Sequence, residues 1–70
     1  MQQTSNEHFL KLSEVVQQVK LSKSQIFRLI GEKRFPAPVR LGERASRFVE
    51  SEVNAWIAHR IAASRAKNAA

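Results

Sequence analysis

The chain has 70 residues, no cysteine, and 12 lysines and arginines against 6 carboxylates, a formal net charge of +6. A chain this short makes one domain at most and buries only about 60% of the surface it exposes when unfolded. Disulfides and thiolate metal sites are excluded, and no apolar run approaches the roughly 20 residues of a transmembrane helix. The segment from Met1 to His8 is polar and lacks the basic-then-apolar layout of a signal peptide, so the expected compartment is the cytoplasm.

The positive charge is concentrated. Between Lys20 and Arg47 lie Lys20, Lys23, Arg28, Lys33, Arg34, Arg40, Arg44 and Arg47, against only Glu32 and Glu43. The flanking segments are nearly neutral. A basic block confined to the middle of a small soluble domain points to a polyanionic partner, most often nucleic acid.

In chain order, residues 1–8 read as a disordered lead-in, with order expected from Phe9. In FLKLSEVVQQVKL, Ser13 is placed to cap a short helix, with Glu14 in its first turn where the helix dipole favours a carboxylate. Val15, Val16 and Val19 then share one helical face. A few residues later Ser22-Lys23-Ser24-Gln25 fits the capping box, a serine followed three residues on by glutamine. Two short helices joined by so brief a turn read as a helix-turn-helix. The second helix is expected from about Lys23 to Glu32, with Ile26, Leu29 and Ile30 inward and Ser24, Phe27 and Arg28 outward.

Lys33 and Arg34 sit where a helix C-terminus favours cations, and Pro36 forbids continuation. Val39-Arg40-Leu41 and Ser46-Arg47-Phe48-Val49 then read as a β-hairpin around a loop of Gly42 to Ala45. Alternation puts Val39 and Leu41 on one face and Arg40 on the other, with Phe48 inward and Arg47 outward. Pro38 lacks an amide donor and marks an edge strand. From about Ser51, Val53, Trp56, Ile57 and Ile61 keep helical spacing, behind Glu50 and Glu52. The alanine-rich residues 63–70 are expected to fray. The fold class is mainly α with a small β-hairpin: one winged helix-turn-helix domain over residues 9–62, ordered helix, turn, helix, hairpin, helix.

Enzymatic chemistry finds no foothold in this pattern. His8 and His59 lie near opposite ends, and with no cysteine they make no zinc site. Gly31 and Gly42 are the only glycines, so there is no phosphate-cradling loop. No cofactor is expected. Nucleic-acid recognition fits better. Arg28 has the geometry to pair with guanine O6 and N7, and Ser24 to reach a base or a phosphate. Lys20, Ser22 and Lys23 suit phosphates, which position the protein without specifying sequence, and Lys33 and Arg34 add charge at the helix end. Phe27 suits a thymine methyl or a sugar, or else the margin of the core. Arg40, Arg44 and Arg47 on the hairpin suit a narrow, A·T-rich minor groove or its phosphates; alternatively they shield an edge strand. Interleaved exposed aromatics for stacking unpaired bases are missing, which disfavours RNA.

The segments LSKSQIFRLI, FPAPVRLG and ESEVNAWI, taken together over Phe9 to His59, resemble the AlpA family of prophage regulators. That family is a branch of the excisionase-like, MerR-type winged helix-turn-helix proteins. The resemblance implies a DNA-binding protein of a prophage or integrative element, either an activator of integrase transcription or a recombination directionality factor that bends attachment-site DNA. It implies that Ser22 to Arg28 form the recognition helix and Arg40 to Arg47 the wing. The chain departs from the family pattern at Phe48, where a tryptophan is common, so packing there is expected to be looser. The implied partners are double-stranded DNA carrying attachment-site or promoter repeats and, as a candidate protein partner, integrase. A monomer binding cooperatively at repeated sites is expected, associated with the nucleoid when bound. The competing reading is a protein-interaction module that meets an acidic partner through its basic surface and C-terminal helix.

Overall fold

The computed structural model describes residues 7–68. A short strand β1 (Phe9–Leu10) leads into helix α1 (Leu12–Val19) and helix α2 (Lys23–Gly31). Strands β2 (Val39–Arg40) and β3 (Ser46–Val49) follow, and helix α3 (Glu50–Asn68) closes the chain. The three strands form one antiparallel sheet in the order β1-β3-β2. This is a winged helix-turn-helix, as the order of sequence signals predicts.

The core is small and shared by every layer. Val15 of α1, Ile26 of α2 and Val53 of α3 are completely buried, and Leu10, Phe35 and Phe48 complete the cluster. Phe35 is the centrepiece of the linker between α2 and β2. Its ring meets Phe48 edge-on at 6.0 Å between centroids and Trp56 at 4.7 Å, both within the range of favourable aromatic pairs. Phe48 is therefore tightly buried, not loosely held as expected.

The helix ends show how local chemistry sets the boundaries. Ser22 caps α2 as expected: its Oγ accepts from the Gln25 amide at 3.2 Å, and the Ser22 amide donates to Gln25 Oε1 at 2.9 Å. Ser13, by contrast, lies inside α1 and is not its cap. Lys11 holds the cap position, and its amide donates to Glu14 Oε1 at 2.7 Å. Glu14 thus performs the glutamate half of a capping box without a serine partner. Both helices of the motif end on a lysine in the left-handed region, Lys20 at φ 60° and Lys33 at φ 61°. After α2 the Lys33 amide donates to the Ile30 carbonyl and the Arg34 amide to the Leu29 carbonyl, at 3.0 and 2.8 Å. That pair of bonds is a Schellman motif, so a left-handed turn at Lys33 has already ended α2 before Pro36 is reached.

Three differences concern the sheet and the termini. Strand β1 was not expected; it pairs Phe9 with Val49 and Leu10 with Phe48, which makes β3 the central strand and leaves β2, after Pro38, as an edge. The lead-in is tied down at its last two residues, where Ser51 Oγ donates to Glu7 Oε1 at 2.8 Å and the Glu50 amide donates to the His8 carbonyl at 2.8 Å; residues 1–6 lie outside the described residues. At the other end, α3 continues past Ala62 to Asn68. Alanine is the strongest helix former, and Arg65 and Lys67 complement the negative end of the dipole.

Candidate nucleic-acid interface

The outward face of α2 is built on the burial of its opposite side. Ile26 is fully enclosed, with Leu29 and Ile30 half-buried beside it, so the helix cannot rotate. Ser24, Phe27 and Arg28 consequently point to solvent, and Phe27 is 51% exposed, a large ring to leave in water. Lys20, Ser22 and Lys23 are exposed at the turn and the N-terminus of α2. The first-turn amides of a helix have no intrahelical acceptor and favour a phosphate, so Lys20, Ser22, Lys23 and Ser24 form a cationic, hydrogen-bonding end, with Phe27 and, in the last turn, Arg28 farther along the exposed face.

The hairpin behaves differently from its sequence pattern. The register pairs Val39 with Arg47 and Arg40 with Ser46. Directly paired residues share a face, and Ser46 and Phe48 share the inner one. Arg40 therefore starts from the inner side at the edge of the sheet, whereas Arg47 shares the outer face with Val39, so the two arginines do not form one stripe. Val39 keeps the expected separation from Arg40 but shares its face with Arg47, and both Val39 and Leu41 are exposed. The guanidinium of Arg40 folds back, Nη2 donating to the Glu43 carbonyl at 3.0 Å, and Arg47 Nη1 donates to the Ser46 carbonyl at 2.9 Å. Arg44 is exposed at the turn. Arg40 thus braces the turn, Arg47 bonds only within its own strand, and Arg44 is the one carried at the tip.

Lys33 is exposed beyond the C-terminus of α2. Arg34 is set apart from the face formed by Ser24, Phe27 and Arg28. Its Nη1 lies 3.3 Å from Glu32 Oε1, and its backbone carbonyl accepts from Trp56 Nε1 at 2.8 Å. It borders a cleft between the helix-turn-helix and α3, opposite Arg60, whose guanidinium sits 5.8 Å from the centre of the Trp56 ring. Sequence reasoning did not single out Arg60, although its position one turn after Trp56 in a helix predicts the stacking. Among the described residues there is no cluster of three or more histidines or carboxylates able to hold a metal ion, and no helix is long and apolar enough to cross a membrane.

Comparison with known proteins agrees with this architecture. The chain is 43% identical over 58 residues to the uncharacterized protein ORF88 of Enterobacteria phage P4. The aligned stretch covers 83% of the chain but 66% of that relative, just under two thirds of its length. No solved structure matches. Residues 8–61, from the residue before β1 to the exposed part of α3, match the family described as prophage CP4-57 regulatory protein (AlpA). Since that match takes in both helices of the motif, the wing and the root of α3, the chain belongs to the AlpA family of prophage regulatory proteins.

Proposed function

We propose that the protein is a sequence-specific double-stranded DNA-binding regulator of a prophage or integrative element, with α2 in the major groove and the hairpin at the adjacent minor groove. The observation that carries this reading is the outward face of α2: Ser24, Phe27 and Arg28, held by a buried Ile26 and led by Ser22 and Lys23 at the helix N-terminus. A recognition helix reads bases from its N-terminal part. Arg28 facing a guanine is worth about 1–3 kcal/mol of discrimination. Lys20, Ser22, Lys23 and Lys33 supply phosphate contacts, Arg44 and Arg47 reach the minor groove or its flanking phosphates, and Arg40 braces the turn that carries Arg44. Arg34 contributes through long-range charge only.

The regulated event is either excision, with the protein as a recombination directionality factor, or transcription of an integrase gene. Footprinting on the DNA flanking the gene separates them. Tandem protected sites in an attachment region, with bending, identify an excisionase; protection confined to an integrase promoter identifies a transcription regulator. The recognition-helix assignment is tested by Arg28→Ala in a mobility-shift titration. Affinity for the preferred site should fall about 5- to 150-fold with relaxed discrimination at one base pair, and unchanged affinity and preference would refute it.

A further inference from the structure

The cleft between the helix-turn-helix and α3 is not used by the DNA reading. Its floor consists of Val19, Leu21, Leu29, Trp56, Ile57 and Ile61, enclosing about 410 Å³. All six remain at least partly open to solvent, and Ile61 is 45% exposed. The lips are Gln18, Arg34 and Arg60, and no carboxylate lines the space. Arg60 has no carboxylate partner among the described residues; the Trp56 ring beneath it sets its position. Around α2, Leu29 lies about 100° from Arg28 and farther still from Phe27. The cleft therefore opens on the flank of α2, away from the face offered to DNA.

An apolar trough with cationic lips is complementary to a helix that is aliphatic on one side and acidic at its margins. DNA offers only isolated thymine methyls and sugars, not a continuous aliphatic ridge to cover this floor. A second copy of the chain, at net charge +6, would bring like charges together. We propose that this cleft is the docking site for an acidic amphipathic helix of a partner protein. Its aliphatic side chains at i, i+3, i+4 and i+7 occupy the floor, and its carboxylates meet Arg60 and, in competition with Glu32, Arg34. The site is independent of DNA contact, so one molecule can hold its DNA and its partner at once.

Trp56 is the sole tryptophan and lies in the cleft, so its emission reports occupancy directly. The probe is a synthetic helix of about 14 residues with leucines at those four spacings and flanking glutamates; the control carries lysines in place of the glutamates. Adding the glutamate peptide to the full chain should give a saturable blue shift, with the lysine peptide at least about 10-fold weaker. Arg60→Glu, at an exposed helix position, should reverse that preference while leaving DNA affinity within about twofold. Ile61→Asp should weaken the glutamate peptide by a similar factor of about 10. Circular dichroism of both variants checks that the helices persist. Equal binding of the two peptides, or no response of Trp56, would overturn the proposal. So would a concentration-dependent dimer that Ile61→Asp abolishes, which would make a second copy the occupant. A loss of DNA affinity in Arg60→Glu would reassign the arginine to a phosphate contact.

Discussion

Replacing Trp56 by phenylalanine isolates the contact that ties the end of α2 to α3. The indole Nε1 donates to the Arg34 carbonyl at 2.8 Å, and the same ring packs against Phe35 and lies beneath Arg60. Phenylalanine keeps a ring against Phe35 but loses the donor. Because Trp56 is only half-buried, water can approach the freed carbonyl, so the hydrogen-bond loss falls near about 1 kcal/mol rather than the full desolvation penalty. The smaller ring face weakens the arginine contact by about 0.5 kcal/mol. About 30 Å² less apolar burial costs a further ~0.7 kcal/mol. Together these destabilise the domain by about 2 kcal/mol, or roughly 8–16 °C in Tm for a domain this small. For a stability of about 0.05–0.15 kcal/mol per residue that is a large fraction of the total. Thermal and urea unfolding followed by far-ultraviolet circular dichroism measure it without relying on tryptophan. Arg34 begins the linker to β2, so the substitution should also loosen the offset between recognition helix and hairpin and weaken DNA binding. A change in stability below about 0.5 kcal/mol, with DNA affinity intact, would refute the view that this bond fixes the α2–hairpin geometry.

Other substitutions probe separate parts of the structure. Ser22→Ala removes the α2 cap and should cost about 1 kcal/mol in urea unfolding. Lys33→Gly relieves a left-handed lysine, worth about 1–2 kcal/mol, against an entropic cost for glycine of about 0.5–1 kcal/mol. The net should be a small gain in Tm, and a loss would show that the Lys33 side chain itself stabilises the Schellman turn. The double change Arg44→Ala, Arg47→Ala should weaken DNA binding in a mobility-shift titration and flatten the salt dependence by about 0.9 log unit per phosphate contact removed. An unchanged salt slope would leave α2 as the sole contact surface.

What could be read in the sequence was whatever depends on neighbours a few residues apart. The Ser22–Gln25 box, the Ile26 stripe and the outward placement of Ser24, Phe27 and Arg28 all follow from helical spacing, and the structure has each of them. Features that depend on partners far along the chain were not legible. Strand β1 is two residues long and exists only because β3 offers it an edge, 38 positions away at Leu10–Phe48. The faces of Arg40 and Arg47 are set by a pairing register that alternation within each strand does not determine. The end of α2 near Glu32 was legible, but the means of ending was not: both left-handed positions are occupied by lysine, whereas the usual signal is glycine. The cleft required α3 to lie beside the turn after α1, a tertiary fact with no local signature.

Strand β3 ends at Val49 and α3 begins at Glu50, with no loop between them. The hairpin and the long helix are thus one continuous piece, hinged on the core at Phe48 and Val53. Beyond Ile61 every described side chain of the helix is exposed, and those last two turns extend about 10 Å at 1.5 Å per residue. They act as a pointer. Under the proposed reading, in which the hairpin settles on a groove, a hairpin tilt of about 10° carried rigidly into α3 would swing the far end by about 2 Å over that length.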